Sequence, residues 1–198
     1  SKTITEKIFQ PLLLGKDIPL SINMKEFFTI TGIELHIMVT NVNQFNAVDI
    51  SYKTHPKWLL IDAVHASCSI PLLFTPILLN ENLYCDGGFC VNCPVNQCID
   101  NGANPNEIMG INTFAENNEE TVMNDFSLFD YIEFLKNKIL QKITIQPCDD
   151  IRYMFILPFD SRSLTNISMV SESDNVRTEL IQHGIDACRE QIHKFQNT

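Results

Sequence analysis

Apolar and polar positions change rhythm along the chain, and each change marks an element. From Glu34 to Thr40, Leu35, Ile37 and Val39 alternate with Glu34, His36, Met38 and Thr40. Val48, Ile50 and Tyr52 alternate again after the turn-rich stretch Asn41 to Asn46. A period of two is that of a half-buried strand, so the pair reads as a hairpin. Upstream, Ser21 or Asn23 can cap a short helix through Met24, Phe27 and Phe28, with Gly32 placed to end it. Residues 1–20 gather Ile8, Phe9, Leu12, Leu13 and Leu14 between Pro11, Gly15 and Pro19, which predicts a broken helix and a loop.

Pro56 is suited to open a helix in which Leu60, Ala63, Val64, Ser67 and Cys68 recur as one buried face, stopping before Pro71. Residues 71–79 are apolar but hold Pro71 and Pro76, so they read as an irregular connection lining a cavity, not a central strand. Leu83, Tyr84 and Cys85 form the end of a buried strand that runs straight into Asp86, Gly87 and Gly88. Pro94 then starts a helix through Val95, Cys98 and Ile99, Gly102 lies beyond its end, and Ile108 to Ile111 is a further strand. Strand, helix, strand is the order of a parallel sheet. Residues 116–125 are polar and acidic, as a surface loop is. Ser127 and Asp130 introduce a helix expected to bury Leu128, Ile132, Leu135 and Ile139, and Tyr153 to Leu157 is another strand. Ser171 and Asp174 cap a long last helix marked by Ile181, Ile185, Cys188, Ile192 and Phe195, in which Gly184 allows close packing.

The totals narrow the function classes. In 198 residues with 44% apolar side chains, one globular domain with a sizeable core is expected. Fourteen basic against twenty-four acidic residues give a net charge of −10, which disfavours nucleic acid and repels an anionic lipid surface. An odd count of seven cysteines with no visible signal peptide fits a reduced compartment, so an intracellular location, cytoplasmic or peripheral to a membrane, is the expectation. The greasiest window, 58–79, is interrupted by Asp62, His65, Pro71 and Pro76, which leaves only peripheral membrane contact.

Asp86 is the candidate for chemistry. It stands at a strand's mouth, where ligands gather in open α/β sheets, and Gly87 and Gly88 behind it remove bulk and permit backbone angles closed to other residues. The plain alternative is a tight Asp-Gly turn. Cys85, Cys90, Cys93 and Cys98 raise a structural zinc site as a rival, but only Cys90 and Cys93 have knuckle spacing. A cysteine nucleophile with His36, His55, His65, His183 or His193 as base is a second rival, with nothing in the sequence to fix a pair. No Gly-x-Ser-x-Gly elbow occurs in these 198 residues, and Ser67 and Ser69 have no flanking glycines.

The runs Asp62 to Pro71, Phe74 to Pro76, Tyr84 to Gly88 and Asn92 to Pro94 resemble, in order, the C-terminal half of a patatin-like phospholipase domain. Glu34 to Asn41 and Gly110 to Asn112 extend the similarity over about residues 30–115, and the remainder is compatible with it. The resemblance implies a three-layer α/β/α fold with a mostly parallel central sheet, truncated at its N-terminus. It implies ester hydrolysis of phospholipid or other acyl lipid by a Ser-Asp dyad, with no cofactor and no metal, in which the acid of the Asp-Gly-Gly motif is Asp86. Gly87, Gly88, Asn92 and Pro94 then shape the active-site loop. The family's serine elbow and oxyanion loop have no counterpart here, so the chain is expected to be a fragment, inactive by itself, of a longer hydrolase. The alternatives are a catalytically dead patatin-like module that binds lipid or a partner, and the zinc module.

Overall fold

A computed structural model of the chain describes residues 2–71, 73–114, 127, 128, 130–132, 134, 135, 138, 139, 151–158, 170 and 172–196. Two compact units divide the chain, 1–92 and 93–198.

The first unit is built on four strands: β1 (Ile37–Asn41), β2 (Asn46–Ile50), β3 (Ile77–Leu79) and β4 (Asn82–Asp86), in the order β2-β1-β4-β3. Every pairing in this sheet is antiparallel. The hairpin read from the alternation is present, with Val39 opposite Val48 and Ile37 opposite Ile50. The mostly parallel sheet is not: β4 returns alongside β1 with Thr40 opposite Cys85, and three residues after Pro71 and Pro76 pair with β4 as the short edge strand β3. Two prolines confine that segment to an edge because each lacks an N–H for the ladder.

Three helices accompany the sheet. α1 (Lys2–Leu14) corrects the expectation of a broken segment: Pro11 sits inside it, and the Gly15 N–H closes its end on the Pro11 carbonyl at 3.0 Å. Lys2 pairs with Asp62 at 2.6 Å and Thr5 Oγ1 lies 2.9 Å from His65 Nδ1, so α1 is tied to α3 (Leu60–Ser67). α2 (Met24–Thr31) has the complete capping box of Asn23 and Glu26, and Gly32 ends it at φ 68°, a left-handed angle that favours glycine. α3 begins at Leu60, later than Pro56. It buries Leu60, Ile61, Ala63, His65 and Ala66, so the buried face is rotated away from Ser67 and Cys68.

The core gathers Ile22, Met24, Val39, Ile50, Trp58, Leu60, Ala63, Ala66 and Tyr84 between this sheet and the helices. Met24 N–H bonds the Trp58 carbonyl and Leu60 N–H bonds the Ile22 carbonyl, both at 2.9 Å, so the entries to α2 and α3 lie side by side. Trp58 meets the Tyr84 ring edge-on, with centroids 5.0 Å apart, an arrangement favoured by the ring quadrupoles.

In the second unit, α4 (Val95–Asp100) follows Pro94, and the parallel pair β5 (Met109–Phe114) and β6 (Tyr153–Pro158) lies against α5 (Asp174–Gln196) through edge-on contacts of Tyr153 and Phe155 with Phe195. β4 and β5 belong to different sheets, so the strand, helix, strand order does not make one parallel sheet. Ile181, Ile185 and Ile192 on α5 are exposed, as are the described residues Leu128, Ile132, Leu135 and Ile139, against the buried faces expected of both helices. Nothing packs within 4 Å of the position a Cβ would take at Gly184, so the close approach expected there is absent among the described residues. Ser173 offers its hydroxyl to the start of α5, receiving the Val176 N–H at 3.4 Å. Ser171 and the acidic segment 116–125 lie outside the described residues.

Candidate active site

Asp86 is the last residue of β4, as the hydrophobic run predicts, and it is half-buried. At this point the strand turns into a short 3-10 turn, Gly87–Phe89, with Asp86 as its N-cap. Its carboxylate Oδ1 accepts the Gly88 N–H at 2.7 Å, and among the described residues Oδ2 accepts no hydrogen bond. The tight Asp-Gly turn and the acid at a strand's mouth are therefore the same feature, not competing ones.

Of the two roles expected of the glycines, reduced bulk and unusual backbone angles, the first is the one seen. Neither has a positive φ; Gly32 and Gly102 are the described glycines that do. What they supply is space. A Cβ on Gly87 would fall on the carbonyl oxygen of Met38 and lie 2.6 Å from its carbon, and one on Gly88 would stand 3.0 Å from Asp86 Oδ1 and 3.2 Å from Asn92 Oδ1. The turn is thus pressed flat against β1, with Asn92 beside Gly88, while Pro94 stands at the head of α4.

Burial raises the Asp86 carboxyl above its ordinary range, and the Gly88 N–H, which favours the charged form, only partly offsets it. A carboxylate held this way is a stronger base than one in water. The nearby thiols are pushed the other way from reactivity: burial, reinforced by the Asp86 charge, takes the Cys85 thiol up to about 11 and raises that of Cys68 as well. Both stay protonated near neutrality, which removes the thiolate a cysteine nucleophile requires.

The three histidines of the first unit are held by other groups. His65 is buried against Thr5, and burial lowers its affinity for a proton. His36 is held between Asp49 at 2.7 Å and Glu34 at 3.0 Å, and His55 Nδ1 lies 3.2 Å from the Asp49 carbonyl. His183 and His193 are both on α5. Among the described residues no group of three or more His, Cys, Asp or Glu side chains could hold a metal ion. No described helix is long and apolar enough to cross a membrane.

Two residues to which the sequence reading gave no role at the site bear directly on Asp86. Thr40, fully buried, donates its hydroxyl to the Asp86 carbonyl at 2.8 Å. The Asp86 N–H bonds the carbonyl of Ser69 at 3.1 Å, and Ser69, also fully buried, donates its own hydroxyl to the His65 carbonyl at 2.6 Å. Strand alternation assigned Thr40 to the solvent face with Glu34 and His36, so it carried no signal. Ser69 entered the sequence reading only as a serine without flanking glycines, not as a tether.

Residues 2–99 match the model of the family described as patatin-like phospholipase, which bears out the resemblance seen in the sequence over just under half of the chain. That match includes every candidate site residue from Asp86 to Pro94; it begins earlier than residue 30 and ends before Gly110. The chain is also similar to "Probable lipid hydrolase 463L" of Invertebrate iridescent virus 6, 35% identical over 98 residues, which are 48% of this chain and 34% of that protein. The chain thus aligns with about a third of its relative's length.

Proposed function

We propose that this chain, a patatin-like phospholipase sequence over residues 2–99, contributes the general base of a lipid acyl hydrolase, and that Asp86 is the base. The observation that carries the reading is the state of that carboxylate at the end of β4: desolvated, anchored through Oδ1 by the Gly88 N–H, with Oδ2 left for a reacting proton.

The nucleophile is a serine hydroxyl supplied by sequence outside these 198 residues, and phospholipid or another acyl ester is the substrate. Oδ2 takes the hydroxyl proton as the serine oxygen attacks the ester carbonyl. The tetrahedral intermediate collapses, the carbonyl–oxygen bond to the leaving alcohol breaks, and that alcohol receives the proton from Asp86. Water, deprotonated by the same carboxylate, then cleaves the acyl-enzyme and regenerates the serine. A carboxylate can do this without histidine because its raised pKa brings it closer to the alcohol it must deprotonate.

The lack of a serine elbow in these residues favours a second reading, a non-catalytic patatin-like module that binds lipid or a partner. Labelling by a serine-directed fluorophosphonate separates the two. The isolated 198 residues should not label. The longer protein that contains them should, and Asp86→Asn in that protein should slow labelling at least about a hundredfold, the usual range for a general base. Labelling of the isolated chain, or unchanged labelling of Asp86→Asn, overturns the assignment.

A further inference from the structure

We infer that Thr40 is a positioning residue for Asp86, acting through the main chain and not through the carboxylate; this rests on the reading of Asp86 as the base. Both backbone polar groups of Asp86 are held outside the strand ladder. Its N–H goes to the Ser69 carbonyl at 3.1 Å, and its carbonyl receives the Thr40 hydroxyl at 2.8 Å. The register explains why. Val39 lies opposite Asp86 and Thr40 opposite Cys85, so β1 and β4 end their pairing at Asp86, and one residue later Gly87 is crowded against the Met38 carbonyl. A carbonyl at that corner needs a donor, since a buried peptide oxygen without one is costly. Thr40 supplies it from a site with no solvent exposure, where its own hydroxyl needs an acceptor equally.

The consequence is geometric. The peptide on the C-terminal side of Asp86 carries the Gly87 N–H and leads to Gly88, whose N–H fixes the orientation of the carboxylate. Releasing the carbonyl lets that peptide plane rotate, and the reacting oxygen moves with it. Displacements of about 1 Å at a reacting group cost on the order of a hundredfold in rate. Serine keeps the donor in place; valine keeps the shape and removes it.

The test uses the longer hydrolase that contains this chain, with acyl-ester turnover measured per folded molecule. Thr40→Val should lower kcat about ten- to a hundredfold while KM changes less than about twofold, and Thr40→Ser should keep kcat within about threefold. Where Thr40→Val does not fold, Thr40→Ala against Thr40→Ser carries the same comparison. Thr40→Val with kcat within twofold of the parent, or Ser as impaired as Val or Ala, overturns the inference. Asp86→Asn is measured beside them. If it is inactive while Thr40→Val is fully active, only the positioning role fails; if Asp86→Asn is itself active, the base assignment fails first.

Discussion

Gly87 lies so close to Met38 that a single added carbon would occupy the space of the Met38 carbonyl. The obstruction is backbone of β1, which cannot swing aside as a side chain would, so Gly87→Ala must displace either the strand or the turn that presents Asp86. We expect Gly87→Ala to destabilise the first unit by about 1–3 kcal/mol, the usual range for overpacking. Chemical denaturation of the variant checks this, and a cost below about 0.5 kcal/mol would mean that the turn is not pressed against β1 as described.

The buried Asp86 carboxylate weakens the fold when it is charged. Burial raises its pKa, so the native state holds the proton more tightly than the unfolded chain does. The sign follows: stability falls as pH rises from the unfolded value, about 3.9, through the higher folded value, and stays lower at neutrality. Asp86→Asn keeps an oxygen acceptor for the Gly88 N–H and never ionises, so it should melt above the parent at pH 7, with the gap closing toward pH 4. A parent that is the more stable at pH 7 would contradict a desolvated carboxylate.

His36 is placed to make stability fall with rising pH in a second, higher range. Burial opposes its charge, but the bonds to Asp49 and Glu34 outweigh that and raise its pKa, while Lys53 engages the same Glu34 oxygen, Oε1. A histidine raised on folding contributes stability that is fully present below about pH 6.5 and is lost as pH rises through the folded value. Asp49 Oδ1, buried without a hydrogen-bond partner among the described residues, makes the neutral imidazole a poor substitute. Unfolding followed from pH 5.5 to 8.5 should show this decline, and His36→Gln should flatten it.

Asn23 and Glu26 satisfy each other's backbone N–H at the start of α2, with bonds of 2.9 and 3.0 Å. Replacing the cap by Asn23→Ala should cost about 1 kcal/mol. For a chain of this size that is a fall of about 2–4 °C in Tm, readable by circular dichroism.

How much of this was legible in the residues depends on the range over which each signal acts. The hairpin of β1 and β2, the cap of α2 and the placement of Asp86 at the end of β4 are local, and alternation, a cap residue such as Asn23 ahead of a short apolar helix closed by Gly32, and an apolar run meeting Asp-Gly-Gly express them directly. Sheet direction is not local. An apolar strand reads the same whether its neighbour runs parallel or antiparallel, and the return of β4 against β1 depends on pairings about 45 residues apart, such as Thr40 with Cys85. Thr40 was hidden for a related reason: alternation sorts a strand by faces, but the buried end of β1 places a hydroxyl where an apolar residue is the usual choice. Pro11 misled because proline's cost in a helix was weighed without the tertiary ties of Lys2 and Thr5 to α3. The exposed isoleucines of α5 keep a helical period, which fixes the element but not what covers it.

The most direct measurement is the rate of acyl-ester hydrolysis by the longer protein carrying Asp86→Asn, against the parent, with folding of both verified by circular dichroism. The account predicts a loss of at least about a hundredfold in kcat with the fold intact, together with parent activity that disappears as pH falls through the raised pKa of Asp86. Activity within a few-fold of the parent would show that another group takes the proton.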